Sequence, residues 1–313
     1  MCCLFGLIDY GRILTAKQKN RMVSILAAAC EDRGTDATGI AYNSGGKLRI
    51  FKRPIPGHRM RFRIPGDAAV IMGHTRMATQ GSPKKSCNNH PFPGMVRGET
   101  FALAHNGVLY NDRTLRRQLK LPNTKVETDS YIAVQMLEKK GALNFSSLRD
   151  MAERVEGSFT FTVLGPQDDL FIVKGDNPMC LIQFPSLGIY LYASTKEILQ
   201  KAVQQMRLPA KAFNRIDLEC GEILQISPDG TLTRSTFDDS NLLMSWYPNA
   251  WISTGSGCTH RGCSVFEEKP GSYLEDLKTV AASFGYSSDA IDRLISKGFM
   301  PEELEEFIYC GEL

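Results

Sequence analysis

Residues 1–10 read MCCLFGLIDY, and the reading of these ten positions decides the fold. Two cysteines stand directly behind the initiator methionine, and a short apolar run with the composition of a buried strand follows them. Cys2 is either a small apolar residue at a strand start or a nucleophile held at the edge of a sheet. Taken alone, a cysteine favours the first reading, because free cysteines are commonly buried and inert. The stretches downstream decide between the two.

Bulk composition permits a folded soluble enzyme. A chain of 313 residues can bury one sizeable core and a small appended domain, since single cores stop growing at roughly 250–300 residues. No apolar run is long enough to cross a bilayer, so no membrane association is expected. The formal charge of +3 is small and the basic residues are scattered, which argues against nucleic acid as a partner. The opening lacks the basic and long apolar regions of a secretory signal, and nine cysteines are an odd number. The expectation is a cytoplasmic protein with reduced thiols.

Working outward, RMVSILAAACEDRG keeps helical apolar spacing and stops at Gly34. TGIAYNSGGKLRIFKRP reads as a strand pair across Asn43 to Gly46, and AAVIMGHTR as a buried strand running into a loop. ETFALAHNGVLYN repeats that pattern, and DSYIAVQMLEKKG is a helix ending at Gly141. SFTFTVLG, DLFIVKG, GIYLYAS and GEILQISPDGTLT are strands separated by turn residues. Strands dominate both ends of this region with helices between them, so layered sheets and helices are expected rather than alternating βαβ units. The predicted organisation is an α+β domain over 1–237, an irregular connector over 238–271 and a small three-helix bundle over 272–313. In the bundle, Ser287 or Ser288 caps the second helix and Pro301 opens the third.

Six stretches carry the chemistry: MCCLFG, RGTDATGIA (33–41), GHTRMATQGSP (73–83), NNHPF (88–92), AHNGVLYN (104–111) and ETDSY (127–131). In this order they resemble the glutaminase domain of class II glutamine amidotransferases, the group that includes amidophosphoribosyltransferase and glucosamine-6-phosphate synthase. VEGSFTFTVL and YLYASTKEIL resemble that domain's closing strands and its Ser-containing turn. The resemblance covers roughly residues 1–235 and implies a four-layer αββα N-terminal nucleophile (Ntn) hydrolase sandwich, here with the helical C-terminal appendage.

The resemblance also implies roles. Removal of Met1 would free the amine of Cys2, whose pKa of about 7.7–8.0 suits it to take the thiol proton at neutral pH. Asn106 and Gly107 would form the oxyanion hole, although an Asn-Gly pair read alone is more often a hairpin turn. Arg76 would bind the α-carboxylate of L-glutamine, a task suited to a planar two-donor fork. Asp129 would bind the α-ammonium, with Thr79 also on the substrate side. His90 matches a family position near the pocket, with a structural hydrogen-bonded histidine as the competing reading. Arg33 and Asp36 would brace the terminal strand, and Cys3, where the family usually has glycine, is read as structural. His74 and His105 are assigned to packing or hydrogen bonds.

Where family members often read HTRWATHG, this chain has Met77 and Gln80, which alters the pocket wall. No metal and no cofactor is expected: neither CTHRGC (258–263) nor Cys87 with His90 has paired metal-ligand spacing, and phosphate-binding glycine motifs are absent. Three functions stay open. The first is a glutaminase subunit passing ammonia to a separate acceptor enzyme, with a homo-oligomer among the options. The second is a hydrolase of another γ-glutamyl or amide bond. The third is a non-catalytic module of the same fold.

Overall fold

In the computed structural model, residues 2–208, 213–244 and 286–297 are described, together with Lys278, Ala281 and Leu304. The chain divides into two compact units, residues 1–251 and 252–313.

The first unit begins with β1 (Cys3–Asp9), buried along its whole length, and α1 (Ala16–Ala29). Thr15 and Gln18 form a reciprocal capping box that starts this helix five residues before the apolar spacing alone predicted. A 310 turn (Cys30–Arg33) leads to β2 (Ala37–Ser44), β3 (Lys47–Arg53) and β4 (Val70–Arg76). Next come β5 (Phe92–Val96), β6 (Glu99–Leu109), α2 (Asp112–Gln118), α3 (Tyr131–Lys140) and α4 (Phe145–Arg154). The unit continues through β7 (Gly157–Leu164), β8 (Leu170–Lys174), β9 (Cys180–Phe184), β10 (Ile189–Ala193) and α5 (Lys196–Met206). It closes with β11 (Asn214–Ile216), β12 (Glu222–Ile226), β13 (Leu232–Thr236) and α6 (Ser240–Met244).

The strands form two antiparallel sheets, in the orders β11-β9-β10-β1-β4-β2-β3 and β13-β12-β8-β7-β6-β5. Side-chain alternation along the strands sorts the core into three layers. Cys3, Phe5 and Leu7 of β1 pack with α1 and α5 on the outer face of the first sheet. Leu4 and Ile8 turn the other way and meet Ala102, Ala104, Ile172 and Leu224 of the second sheet. Phe159, Phe161 and Val163 of β7 face outward against Ile132, Val134 and Leu137 of α3 and Leu148 and Met151 of α4. The result is the expected αββα sandwich, with two antiparallel sheets between two helical layers.

In sequence, α2, α3 and α4 stand together between β6 and β7 as expected, while α1 and α5 lie among the strands on either side. The helices form pairs by layer, α1 with α5 and α3 with α4. The strong apolar stripe of α5 starts at a Thr195 cap, and α4 starts at an Asn144 capping box. Both caps are short polar residues that read as loop when no helix is suspected behind them.

Gly6 shows why β1 can sit where it does. A Cβ there would stand 2.3 Å from a ring carbon of Tyr192, so the central strands approach closely only at glycine. At the base of β1, the carboxylate of Asp9 pairs with buried Lys19 at 3.0 Å and accepts the Ile13 and Leu14 N–H groups.

In the second unit, α7 (Ser288–Ser296) is capped by Ser287, whose hydroxyl accepts the Ala290 N–H. Ile291 packs with Ala281 and Leu304. Most of the predicted connector, the other two predicted helices, Pro301 and CTHRGC lie outside the described residues. No helix among the described residues is long and apolar enough to cross a membrane.

Candidate active site

Antiparallel pairing fixes the start of β1 between β4 and β10, with Cys3 opposite Thr75 and Phe5 opposite Ala193. Cys2, one residue upstream, is half-buried at the end of this strand. Its carbonyl accepts the Arg33 Nε–H at 2.9 Å, and its thiol lies 3.4 Å from the Met77 carbonyl. Burial pushes the thiol pKa up; the Met77 contact and the Arg76 charge oppose this, and the Asp129 charge adds to it. Cys3 is fully buried on the helical side, in the same cluster as Cys30.

Arg76 ends β4, and the loop that follows wraps around its guanidinium. Nη1 donates to Asn89 Oδ1 at 2.7 Å, and Nη2 donates to the Gly81 carbonyl at 2.8 Å and to the Gln80 carbonyl. Asp36 steadies the start of this loop by accepting the Ala78 N–H at 2.7 Å, while its own N–H donates to the Arg76 carbonyl. Thr79 is exposed on the loop, and Met77 is 52% exposed.

Asn106 and Gly107 lie inside β6, opposite Thr160 and Phe159 of β7, and do not form the hairpin turn that Asn-Gly suggests in isolation. The Phe159 N–H donates to Asp176 and its carbonyl accepts the Asn177 N–H, so both backbone groups face away from β6. Gly107 and Phe159 are therefore a non-hydrogen-bonded pair, and the Gly107 N–H points outward from β7. Two residues on, the Leu109 N–H leaves the same edge and donates to Asp129 Oδ2 at 2.6 Å. Gly107 has φ +138°, and a Cβ there would lie 1.9 Å from the Ser158 carbonyl, so only glycine fits. Ser194 ties this edge to the terminal strand: its hydroxyl accepts the Leu4 N–H at 2.8 Å and lies 3.4 Å from Asn106 Nδ2.

Asp129 is 5% exposed just ahead of α3. A buried cation and a buried anion thus both act on the Cys2 thiol. The structure brings Arg33, Arg76 and Asp129 to bear on Cys2, ties Asn106 to the terminal strand through Ser194 with Gly107 beside it on β6, and sets Asp36 one step behind, on the Arg76 loop.

His90 is placed differently, in a buried stack with ring centroids 4.3 Å from His74 and 4.3 Å from Phe92. Neither of its ring nitrogens has a hydrogen-bond partner among the described residues. His74 Nε2 lies 3.0 Å from the His105 carbonyl, and His105 Nδ1 lies 2.8 Å from Ser130 Oγ. Burial lowers the pKa of all three histidines, that of His74 to about 3. Each is neutral at physiological pH, and the Cys2 thiol is hydrogen-bonded to none of them. Among the described residues, no three His, Cys, Asp or Glu side chains converge as a metal site.

Sequence reasoning passed over Asn88, Asn89 and Glu127 as individual residues. All three lie inside quoted motifs, but their roles are exerted through neighbours and leave no local pattern.

A family model described as a glutamine amidotransferase domain matches residues 74–201. Glutamine–fructose-6-phosphate aminotransferase [isomerizing] of Helicobacter pylori is 26% identical over 201 residues, covering 60% of this chain and 32% of that protein. The enzyme of the same name from Halalkalibacterium halodurans is 30% identical over 183 residues, covering 56% of this chain and 30% of its own. This chain therefore spans about a third of the length of these relatives. Among solved structures, the B. subtilis glutamine phosphoribosylpyrophosphate amidotransferase complexed with ADP and GMP superposes with a TM-score of 0.61. That match is 19% identical, covers 76% of this chain and 49% of the other, and speaks to the fold. With the ordered motifs, the αββα sandwich and these matches in hand, residues 74–201 match a glutamine amidotransferase domain, and the sandwich that contains them shares its fold with the phosphoribosylpyrophosphate amidotransferase.

Proposed function

We propose that this chain hydrolyses L-glutamine to glutamate and ammonia at Cys2, and that the ammonia passes to an acceptor on a separate enzyme. The observation that carries the reading is that buried Arg76 and buried Asp129, one cation and one anion, both act on the Cys2 thiol. A zwitterionic amino-acid head group needs one cation and one anion at fixed separation, and a carboxamide at the end of its side chain then reaches the sulfur. The names of the curated relatives supply glutamine as the nitrogen source.

In this reading Met1 is removed and the freed α-amine of Cys2 is the base. Among the described residues no histidine touches the thiol, and desolvation makes the three buried ones weaker bases than an ordinary imidazole. The amine takes the thiol proton as Sγ attacks the glutamine Cδ. Asn106 Nδ2 and the Gly107 N–H hold the resulting oxyanion. The amine then delivers that proton to the departing nitrogen, ammonia leaves, and a γ-glutamyl thioester remains. Water, deprotonated by the same amine, attacks the thioester, releasing glutamate and restoring the thiol. Arg33 holds the Cys2 carbonyl and so fixes the direction of the terminal residue.

The test is intact mass and peptide mapping before and after reaction with diazo-oxo-norleucine, alongside an assay of ammonia released from glutamine. The expected result is loss of Met1, one adduct on Cys2, and no adduct or turnover in Cys2→Ala. Retained Met1 with no adduct at Cys2 overturns the mechanism.

A further inference from the structure

Arg76 does not choose its own orientation. Its Nη1 is held by Asn89 Oδ1, and Asn89 is itself only 1% exposed, with Nδ2 donating to the Pro83 carbonyl at 2.7 Å. The backbone of Asn89 is pinned from a second side. Lys52 Nζ donates to the Asn89 carbonyl at 2.6 Å and to the Pro91 carbonyl at 3.0 Å, and sits 5.2 Å above the Phe92 ring centroid.

The preceding residue points the other way and ties the loop to the anionic end of the site. Asn88 Nδ2 donates to Glu127 Oε2 at 2.8 Å and to the Ser82 carbonyl at 3.1 Å, while Asn88 Oδ1 accepts the Glu127 N–H at 2.9 Å. Lys85 forms an ion pair with the same Glu127 carboxylate. Glu127 is two residues before Asp129. A chain of contacts therefore runs from Arg76 through Asn89 and Asn88 to Glu127 and on to Asp129.

We propose that Asn89 is the positioning residue of Arg76, aiming its guanidinium at a substrate α-carboxylate, with Lys52 and Asn88 holding Asn89 in place. The proposal rests on the glutamine reading above. The chemistry suits the task. An asparagine oxygen is a neutral acceptor, so it fixes the guanidinium plane without cancelling the charge that the carboxylate must meet. Asn89 makes no hydrogen bond to the Cys2 thiol, so it acts through Arg76.

The experiment compares two reagents that reach the same sulfur. Diazo-oxo-norleucine carries an amino-acid head group and iodoacetamide does not. Second-order rates of Cys2 modification by each are measured on the whole chain, wild type and Asn89→Ala, with the glutamine KM. In Asn89→Ala the expected result is a diazo-oxo-norleucine rate lower by about 10–100-fold, the usual worth of a hydrogen bond to a charged group. The iodoacetamide rate stays within about two-fold, and the glutamine KM rises while kcat changes less. Should Asn89→Ala not be recovered folded, Lys52→Met removes the backbone brace at similar volume and carries the same expectation.

Equal loss with both reagents would mean a structural role and overturns the proposal, as does no loss with either. A wild-type chain that reacts with iodoacetamide but not with diazo-oxo-norleucine overturns the glutamine reading itself, a distinguishable result.

Discussion

Cys2 has to be activated against its own surroundings. Burial raises the thiol pKa, and the Met77 contact and the Arg76 charge oppose that shift, so a base must act at the moment of attack. If that base is the residue's own α-amine, blocking the amine should remove the base and spare the fold. An uncleaved extension ahead of Cys2 is expected to lower kcat by about 10²–10⁴-fold, the typical contribution of a positioned base, with an unchanged melting temperature. Ammonia release and thermal melting check this together. Asp129 is a different case, since an asparagine in its place would keep an acceptor for the Leu109 N–H while losing the charge. Asp129→Asn is therefore expected to raise the glutamine KM about 10–100-fold, by the charged hydrogen-bond scale, with a smaller change in kcat; steady-state kinetics decide it. Cys2, Arg76 and Asp129 could be picked out in the sequence because each is a chemically distinctive group inside a recognisable stretch. Asn89 could not, because its work is done on a residue thirteen positions earlier and only after the loop has closed around it.

At the scale of elements, β6 shows how a strand becomes a working edge. Even-numbered steps along it turn successive N–H groups to the same side, which puts that of Gly107 on the same edge as that of Leu109, which donates to Asp129. Gly107→Ala would demand a Cβ 1.9 Å from the Ser158 carbonyl at a φ of +138°. The expected cost is roughly 1–3 kcal/mol or more of stability, with loss of glutamine hydrolysis as the strand edge moves. Gly98, at φ +86° in the turn between β5 and β6, has nothing within 4 Å of such a Cβ. Gly98→Ala is therefore the control, with a modest stability loss and normal activity, measured by denaturant unfolding and ammonia release. Long apolar strands such as β1, β4 and β7 were legible because their burial is nearly complete and their composition says so. β9, α4 and α5 were not singled out: a five-residue strand gives too short a pattern, and a capped amphipathic helix between strands resembles a polar connection until its partner layer is known.

Across the whole sandwich, the two sheets are joined by more than apolar contact. His74 on β4 reaches the His105 carbonyl on β6, so a buried imidazole spans the gap between the sheets, with His90 stacked against it. All three rings are desolvated and their pKa values are lowered, that of His74 to about 3. In the unfolded chain a histidine takes up a proton near pH 6.5. For a base whose folded pKa is depressed, the unfolded state binds more protons between the two values, so stability is full above about pH 6.5 and falls as the pH drops below it. His74 alone should lower the unfolding free energy by about 1.4 kcal/mol between pH 7.5 and pH 5.5, and the lowered pKa values of His90 and His105 act in the same direction. The measurement is denaturant unfolding of wild type at the two pH values, with His74→Gln as comparison, expected to be less stable at pH 7.5 but to show a shallower pH dependence. An unfolding free energy that is flat or rises on acidification would mean that the interior of the sandwich accommodates the charged rings, and the inter-sheet contact would then have to be read as one made by an ionised side chain.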